Sequence, residues 1–263
     1  MTTHKILQIT DLHIMPKPED TMLGIETEYF FRETLAFAHR QHGDIDLILL
    51  TGDLVQHPCP DSYTRIAQIL VPYRTPCLCL PGNHDDFELM QRYLNQDNIS
   101  CQKHKLFQDW QIIGLHSQVE GSAVGELATE ELQYLQHVLQ THPDLPTLIA
   151  LHHPCFATGS IWLDAMQIQN SEVFLSIIKH YPQIKAVTCG HVHQEANLQI
   201  DNTAILATPS SCFQFTPQSE FFRIDDTPPG YRIFELYADG RLESHCNRLP
   251  IRLENLDWSV QDY

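Results

Sequence analysis

Basic residues are scarce in this chain: 16 Lys and Arg stand against 33 Asp and Glu in 263 residues, a formal net charge of −17 with histidine neutral. A polynucleotide would meet a repelling field and too few clustered cations to neutralise its phosphates, which excludes nucleic-acid polymers as partners. No stretch approaches the roughly 18 uninterrupted apolar residues of a membrane span, so no membrane partner is expected. The opening MTTHKILQIT lacks the basic and long apolar regions of a secretory signal, and a cytoplasmic location is expected. The eight cysteines contain no C-x-x-C pair, and most lie in apolar runs such as Cys77-Leu78-Cys79-Leu80; they read as small buried hydrophobes in a reducing compartment. Repeats of fixed period, low-complexity tracts and long linkers are absent too. What remains, 43% apolar and 19% charged residues, is the composition of a globular chain with its own core and excludes disordered and fibrous classes. A single domain over residues 1–250 with a polar tail over 251–263 is expected, and monomer and homodimer are equally compatible with the sequence.

Short apolar runs at 6–9, 47–50, 76–80, 111–115, 148–151 and 185–188 have strand length. They alternate with helix-period segments at 26–40, 61–70, 86–94, 129–139 and 171–180, an α/β pattern. Thr129 followed by Glu131 suggests a capping box. From Ala196 onward strands follow one another, at 198–200, 204–207, 212–215, 231–237 and 242–245, with turn signals such as Asp239-Gly240 between them. The Tyr, Phe and Leu residues of 26–40 fall at helix-core spacing.

Sixteen histidines are the anomalous count. Directly after five of the strands the chain places Asp11 and His13, Asp53, Asn83 and His84, His152 and His153, and His191 and His193. Ligands of α/β sheets bind in the crevice beyond the strand carboxyl ends, where these loops converge. Oxygen and imidazole donors without thiolate suit manganese, iron, zinc or cobalt. Asp53 stands alone in its motif and could bridge two ions; seven ligands with one shared then give four to each metal and leave positions open for water and substrate. Two divalent ions against two carboxylates leave a local charge of about +2, attractive to a phosphate ester despite the acidic body. His84, beside Asn83, is placed to protonate a leaving oxygen.

Asp11-x-His13, Gly52-Asp53, Gly82-Asn83-His84-Asp85, His152-His153 and Gly190-His191-Val192-His193, in this order, resemble the calcineurin-like binuclear metallophosphoesterases. Trp162-Leu163-Asp164, the run from Thr208 to Phe215, and Pro229-Gly230-Tyr231-Arg232 are similar to the bacterial class III 3′,5′-cyclic nucleotide phosphodiesterases. The resemblance covers about residues 5–248 and implies a four-layer α/β/β/α sandwich with two mixed sheets. It implies one metal on Asp11, His13, Asp53 and His193 and a second on Asp53, Asn83, His152 and His191. It further implies a substrate phosphate lined by His13, Asp53, Asn83, His84 and His193. The function it implies is hydrolysis of 3′,5′-cyclic AMP to 5′-AMP by a hydroxide held between two metal ions, of iron, manganese or zinc, with Asn83 and His84 as catalytic residues and a small cyclic nucleotide as the partner. Two positions depart from the family: His116 stands where an acid is frequent, and Pro154-Cys155 follows the His-His pair where Pro-Pro is frequent. Neither is a ligand position.

Other readings stand beside this one. A broad phosphodiesterase, a 2′,3′-cyclic nucleotide phosphodiesterase or a nucleotide pyrophosphatase would use the same ligands, with the walls at 156–170 and 210–215 deciding between them. A non-catalytic scaffold would be expected to lose ligands or His84. His153 reads as a supporting residue. Histidines 4, 39, 42, 57, 104, 137, 142, 180 and 245 have no matching context and read as solvated. Trp162 reads equally as a core residue or as a platform for a base.

Overall fold

The structure, a computed structural model, describes residues 3–261. The first half runs β1 (Thr3–Ile9), α1 (Thr27–His42), β2 (Leu47–Thr51), α2 (Pro60–Leu70), β3 (Cys77–Leu80), α3 (Phe87–Leu94) and β4 (Ile99–Ser100). Then come β5 (His104–Leu106), β6 (Gln111–Gly114), α4 (Thr129–Thr141), β7 (Thr147–Ala150), α5 (Ile161–Asp164), α6 (Ser171–His180) and β8 (Ile184–Cys189). The chain closes with β9 (Ala196–Ile200), β10 (Thr203–Ala207), β11 (Gln214–Phe215), β12 (Ile224–Asp225), β13 (Gly230–Tyr237) and β14 (Leu242–Arg248).

Two six-stranded mixed sheets result, one in the order β14-β13-β1-β2-β3-β4 and the other β5-β6-β7-β8-β10-β9. Strands β1 to β4 are parallel, as are β6, β7, β8 and β10, while β13, β14, β5 and β9 run antiparallel to their neighbours. Both faces of the central strands are covered, which is why they read as unbroken apolar runs. The two-residue alternation of a strand then sorts each run between two cores. Ile6, Leu47, Leu49, Leu78 and Leu80 meet Ile112, Leu148, Ala150, Ala186 and Leu206 between the sheets. Leu7, Ile9, Ile48 and Leu50 turn the other way, onto Phe31 and Leu35 of α1 and Ile66 and Leu70 of α2. On the second sheet Ile113, Ile149 and Val187 pack under Leu135 and Leu139 of α4 and Phe174 and Ile178 of α6. The order helix, sheet, sheet, helix is the expected four-layer sandwich.

Local signals account for two of the helix starts. Pro60 occupies the first turn of α2, where its missing N–H costs nothing, and Asp86 caps α3 by accepting from Leu89 N at 3.0 Å. The capping box expected at Thr129 does not form. The helix starts at Thr129 as expected, but that residue lies inside it; the N-cap is Ala128, which has no polar side chain to offer, and Glu131 instead holds Lys103 Nζ (2.6 Å) and the His116 N–H (3.0 Å). The strand expected over 212–215 is reduced to Gln214–Phe215, because Cys212 N turns back to Ser210 Oγ. The tail is docked: Leu253 and Leu256 are buried, and Asp257 N donates to Leu23 O. Its last two residues, Asp262 and Tyr263, lie outside the described residues.

Several of the histidines read as solvated are half-buried bridges: His4 meets Asp109 (2.7 Å), His42 meets Tyr231 Oη (2.9 Å) and His104 meets Gln111 Oε1 (3.0 Å). They sit where elements adjoin, a placement that a one-dimensional reading does not carry. His57, His137, His180 and His245 are exposed as expected.

Two polar clasps join the sheets. Arg232 of β13, fully buried, donates to the Ala196 and Ala207 carbonyls of the opposite sheet and to Ser244 Oγ. Gln8 of β1, equally buried, donates to Thr51 Oγ1 and the Cys189 carbonyl and accepts from the Thr188 and Thr208 hydroxyls, both at 2.6 Å. Buried hydroxyls stripped of a partner cost about 1–3 kcal/mol each. Gln8→Leu is therefore expected to destabilise by about 2–4 kcal/mol, lowering Tm by roughly 4–12 °C; an unchanged midpoint in urea would show that the clasp is not needed.

Candidate metal centre

The loops after β1, β2, β3, β7 and β8 leave the sheets on one edge. Asp11 N donates to Gly52 O and His13 N to Asp53 O, each at 3.0 Å, so the first two loops are laced together. Asp11, His13, Asp53, His191 and His193 all adopt positive φ, between 46° and 67°, a left-handed region that costs a non-glycine residue about 1–2 kcal/mol. In Asp11-x-His13 and His191-x-His193 both polar members face the centre while the middle residues, Leu12 and Val192, are buried in opposite helix-side cores. Two glycines permit the approach. A Cβ on Gly82 would lie 2.2 Å from Asp53 Oδ1, and one on Gly190 would lie 2.0 Å from Thr10 Oγ1 and 2.7 Å from Asp11 Oδ2.

All seven expected ligands converge. Asp11 Oδ1 lies 3.4 Å from His193 Nε2, which lies 3.2 Å from His13 Nε2. Asp53 Oδ2 stands between His13 Nε2 (3.9 Å) and His152 Nε2 (3.2 Å). His152 Nε2 continues the row to Asn83 Oδ1 (3.1 Å) and His191 Nδ1 (3.2 Å). Asp11, His13 and His193 form one tight group of donors and Asp11, Asp53 and His152 another, so the two carboxylates link the ends of the row. His84 is brought to the same edge: its N–H donates to Asp53 Oδ1 (2.9 Å), its Nδ1 lies 3.3 Å from the Gln56 carbonyl, and its ring stands edge-on to His13 at 5.2 Å.

The outer nitrogens decide which atoms point inward. His152 Nδ1 donates to the Thr51 carbonyl (2.8 Å) and His193 Nδ1 to the Phe213 carbonyl (2.9 Å), while His13 Nδ1 meets Gln56 Oε1 (2.7 Å). A carbonyl only accepts, so Nδ1 carries the hydrogen and, wherever these rings are neutral, Nε2 turns a lone pair toward the centre. Two such lone pairs, on His13 and His193, face each other at 3.2 Å. Facing acceptors repel unless a cation or a proton lies between them, and with two ionised carboxylates alongside, the donor set fits metal ions. The charge states agree. Burial works against ionising Asp53, yet the surrounding histidines, His152 first, hold its carboxyl well below the usual range. Asp11 is lowered in the same way, with burial opposing and His193 prevailing. Burial drives His13 down to about 3 and His191 well below its ordinary value, so both are neutral donors. His152 is the exception: burial pulls it down, but Asp53 and Asp11 lift it to about 9.

Three residues that sequence reasoning left unassigned hold the site in shape. Asp85, quoted only as the last letter of its motif, accepts from the backbone N–H groups of Leu54, Val55 and Gly82 and from Tyr63 Oη, fastening the loops that carry Asp53 and Asn83. Burial, and then the nearby Asp53 charge, push it up to about 7. Gln56 serves His13 with its side chain and His84 with its carbonyl. Ser117 Oγ lies 2.8 Å from His153 Nδ1, and that buried ring, expected to be a supporting residue, stands beside His152 and His191 in a further group of donors that could hold a metal ion. No local pattern marks Gln56 or Ser117. Trp162 packs edge-on against Phe215 and Phe222, the first of which is stacked on His193.

Residues 4–195 match the calcineurin-like phosphoesterase profile. The 3′,5′-cyclic adenosine monophosphate phosphodiesterase CpdA of Escherichia coli is 37% identical over 246 residues, covering 93% of this chain and 90% of that protein. A 3′,5′-cyclic-nucleotide phosphodiesterase of Nostoc sp. is 37% identical over 248 residues, 94% of this chain and 93% of the relative. Among solved structures, a dimetal phosphatase from Danio rerio superposes with a TM-score of 0.59 at 14% identity, covering 88% of this chain and 95% of that one. A purple acid phosphatase from yellow lupin seeds gives 0.62 at 12% identity, over 93% of this chain and 53% of that one. The structural likenesses speak for the fold, and the sequence matches settle kinship: the chain belongs to the calcineurin-like phosphoesterase family.

Proposed function

We propose that this chain is a metal-dependent phosphodiesterase that hydrolyses 3′,5′-cyclic AMP to 5′-AMP, with two ions of iron, manganese or zinc. The observation that carries the reading is the pairing of a complete set of seven inward-facing donors with a histidine, His84, that is fastened beside them through Asp53 and Gln56. A storage site or a scaffold has no leaving group and no use for His84. Relatives of 37% identity bearing the name of this activity over nine-tenths of the chain support the choice of substrate.

One ion would be held by Asp11, His13, Asp53 and His193, the other by Asp53, Asn83, His152 and His191. Bound there, they supply Lewis-acid polarisation of the phosphoryl oxygens and an activated water. The protein does the rest. Asp53 Oδ1 fixes the His84 backbone while Oδ2 faces both histidine groups, so donor and ligands keep one register. The Asn83 amide presents its oxygen to the centre and its N–H groups to a phosphoryl oxygen. Hydrolysis breaks the bond between phosphorus and the 3′-oxygen, and that oxygen receives its proton from His84 Nε2, since Nδ1 is turned to the Gln56 carbonyl. Among the described residues no helix is long and apolar enough to cross a membrane, and eight unpaired cysteines support a cytoplasmic setting.

The direct test is turnover of 3′,5′-cAMP by manganese-loaded protein beside 2′,3′-cAMP, bis(p-nitrophenyl) phosphate and ADP-ribose, with a chelator control. Chelator-sensitive preference for 3′,5′-cAMP is expected; activity confined to the generic diester would move the substrate elsewhere in the family. His84→Ala should keep both metals and lose roughly 10²–10⁴-fold in kcat, whereas Asp53→Ala should fail to retain at least one metal by elemental analysis. Full metal in the Asp53 variant would contradict the bridge. Proton bookkeeping gives an independent check. With His152 at about 9, the metal-free site carries its proton at pH 7, and a bound ion must displace it. Metal loading at pH 7 should thus release about one proton per chain from His152, and less as the pH rises through about 9; release that does not vary with pH would refute this assignment.

A further inference from the structure

We propose that Trp162 and Phe222, flanked by Ile161 and Phe221, form a platform on which the purine ring of the substrate stacks. The proposal deepens the phosphodiesterase reading and rests on it for the position of the phosphate.

From the metal centre the rings run outward in unbroken contact. His193 lies nearly flat on Phe215, with centroids 4.2 Å apart and planes at 21°. Trp162 stands edge-on to Phe215 at 4.9 Å, and Phe222 completes a triangle at 5.4 Å from Trp162 and 5.6 Å from Phe215. Phe215 is buried, Trp162 and Phe222 are half-buried, and the flanking Phe221 and Ile161 are 72% and 66% exposed. Burial thus declines steadily from the ligand His193 to solvent, as in a wall that one side of a ligand would cover.

The wall is built as a unit. Ile161 N donates to the Ser219 carbonyl and Ser219 N to Ser160 Oγ, pinning α5 to the segment that bears Phe221 and Phe222. Asp164 gathers the N–H groups of Thr158 and Gly159 and the Thr158 hydroxyl, which fixes the turn entering α5. Packing alone does not explain the indole. Its Nε1 is buried and has no acceptor among the described residues, a cost that phenylalanine or leucine would avoid in the same space. What only tryptophan offers here is a wide π face, matched in size by a two-ring base. Large apolar side chains left in water beside it have the same use, since stacking a base covers them without requiring any particular hydrogen bond. The alternative seat is a cavity of about 750 Å³ near α3, lined by Phe87, Gln91, Lys103 and His116 among others. It is mostly polar.

The test reads the contribution of the base apart from cyclic-nucleotide turnover. Hydrolysis of bis(p-nitrophenyl) phosphate by the manganese-loaded full chain is inhibited with 5′-AMP and, separately, with ribose 5-phosphate, and the ratio of the two inhibition constants is taken. The base should make 5′-AMP the tighter inhibitor by about tenfold. Trp162→Ala and Phe222→Ala should bring the ratio toward one, and Trp162→Phe, which keeps more of the packing, should lower it by severalfold. A ratio near one in the unaltered protein, or an unaltered ratio that persists in all three variants with unchanged far-ultraviolet circular dichroism and Tm, would overturn the platform. Failure of the unaltered protein to turn over 3′,5′-cAMP, with the ratio behaving as expected, would instead count against the proposed reaction alone.

Discussion

Two carboxylates buried between two sheets set the terms for everything around them. Asp11 and Asp53 are 0% and 1% exposed, and an isolated ionised carboxylate in such a place would take up a proton rather than stay charged. Both are nevertheless held in their ionised form, because each accepts from a backbone N–H and has a histidine within reach. Asp11 accepts from the His191 N–H and meets His193; Asp53 accepts from the His84 N–H and meets His152. Each carboxylate thus joins a loop of one sheet edge to a second loop, and with Asp11 the second loop belongs to the opposite sheet. Their anchoring role and their candidate ligand role are the same arrangement seen twice.

That arrangement explains why so much backbone is strained in one place. A ligand pair separated by one residue has to send both side chains inward and the middle residue into a core. Leu12 and Val192 are fully buried on opposite sides of the sandwich. Positive φ at Asp11, His13, His191 and His193 meets that demand, and the interstrand clasp through Gln8 lies directly beneath it. Strain of this kind persists only where neighbouring structure over-determines it. Here Asp85 supplies that rigidity from behind, accepting N–H groups from both of the loops that deliver Asp53 and Asn83.

The sequence made the layers and the donors legible for one reason: both depend on periodicity. Unbroken apolar runs of four or five residues mark strands covered on both faces, and donors directly after those runs must gather at one sheet edge. Identifying those donors as metal ligands was sharpened by resemblance to a family, not by spacing alone. What stayed hidden depends on pairing across the chain. Nothing within a few residues of Gln56 foretells that it serves both His13 and His84, and nothing near Ser117 foretells His153, because each partner lies on a different loop. The capping box misread at Thr129 has a related cause: Glu131 is drawn to Lys103, 28 residues away, and the N-cap position falls on Ala128. His42 and His104 looked solvated because their partners, Tyr231 and Gln111, become neighbours only after the sheets form.

Charge and shape divide the labour of recognition. The chain carries a formal −17, and a polyanion would pay for approach over a broad surface. A cyclic phosphodiester brings a single negative charge, so on the proposed reading two metal ions set against two carboxylates would suffice to attract it locally. The metal centre, however, treats all phosphoryl groups alike, since its donors touch only the group being cut. Selectivity must therefore come from surfaces that the ligands do not reach, and these need to be rigid with respect to the ligands to be of use. Phe215 meets that requirement: it is buried, it stacks on His193, and Trp162 and Phe222 pack against its outer edge. A wall that begins on a candidate ligand, His193, would hold its place relative to a metal bound there, and a base resting on it would carry its phosphate to the same point at every encounter.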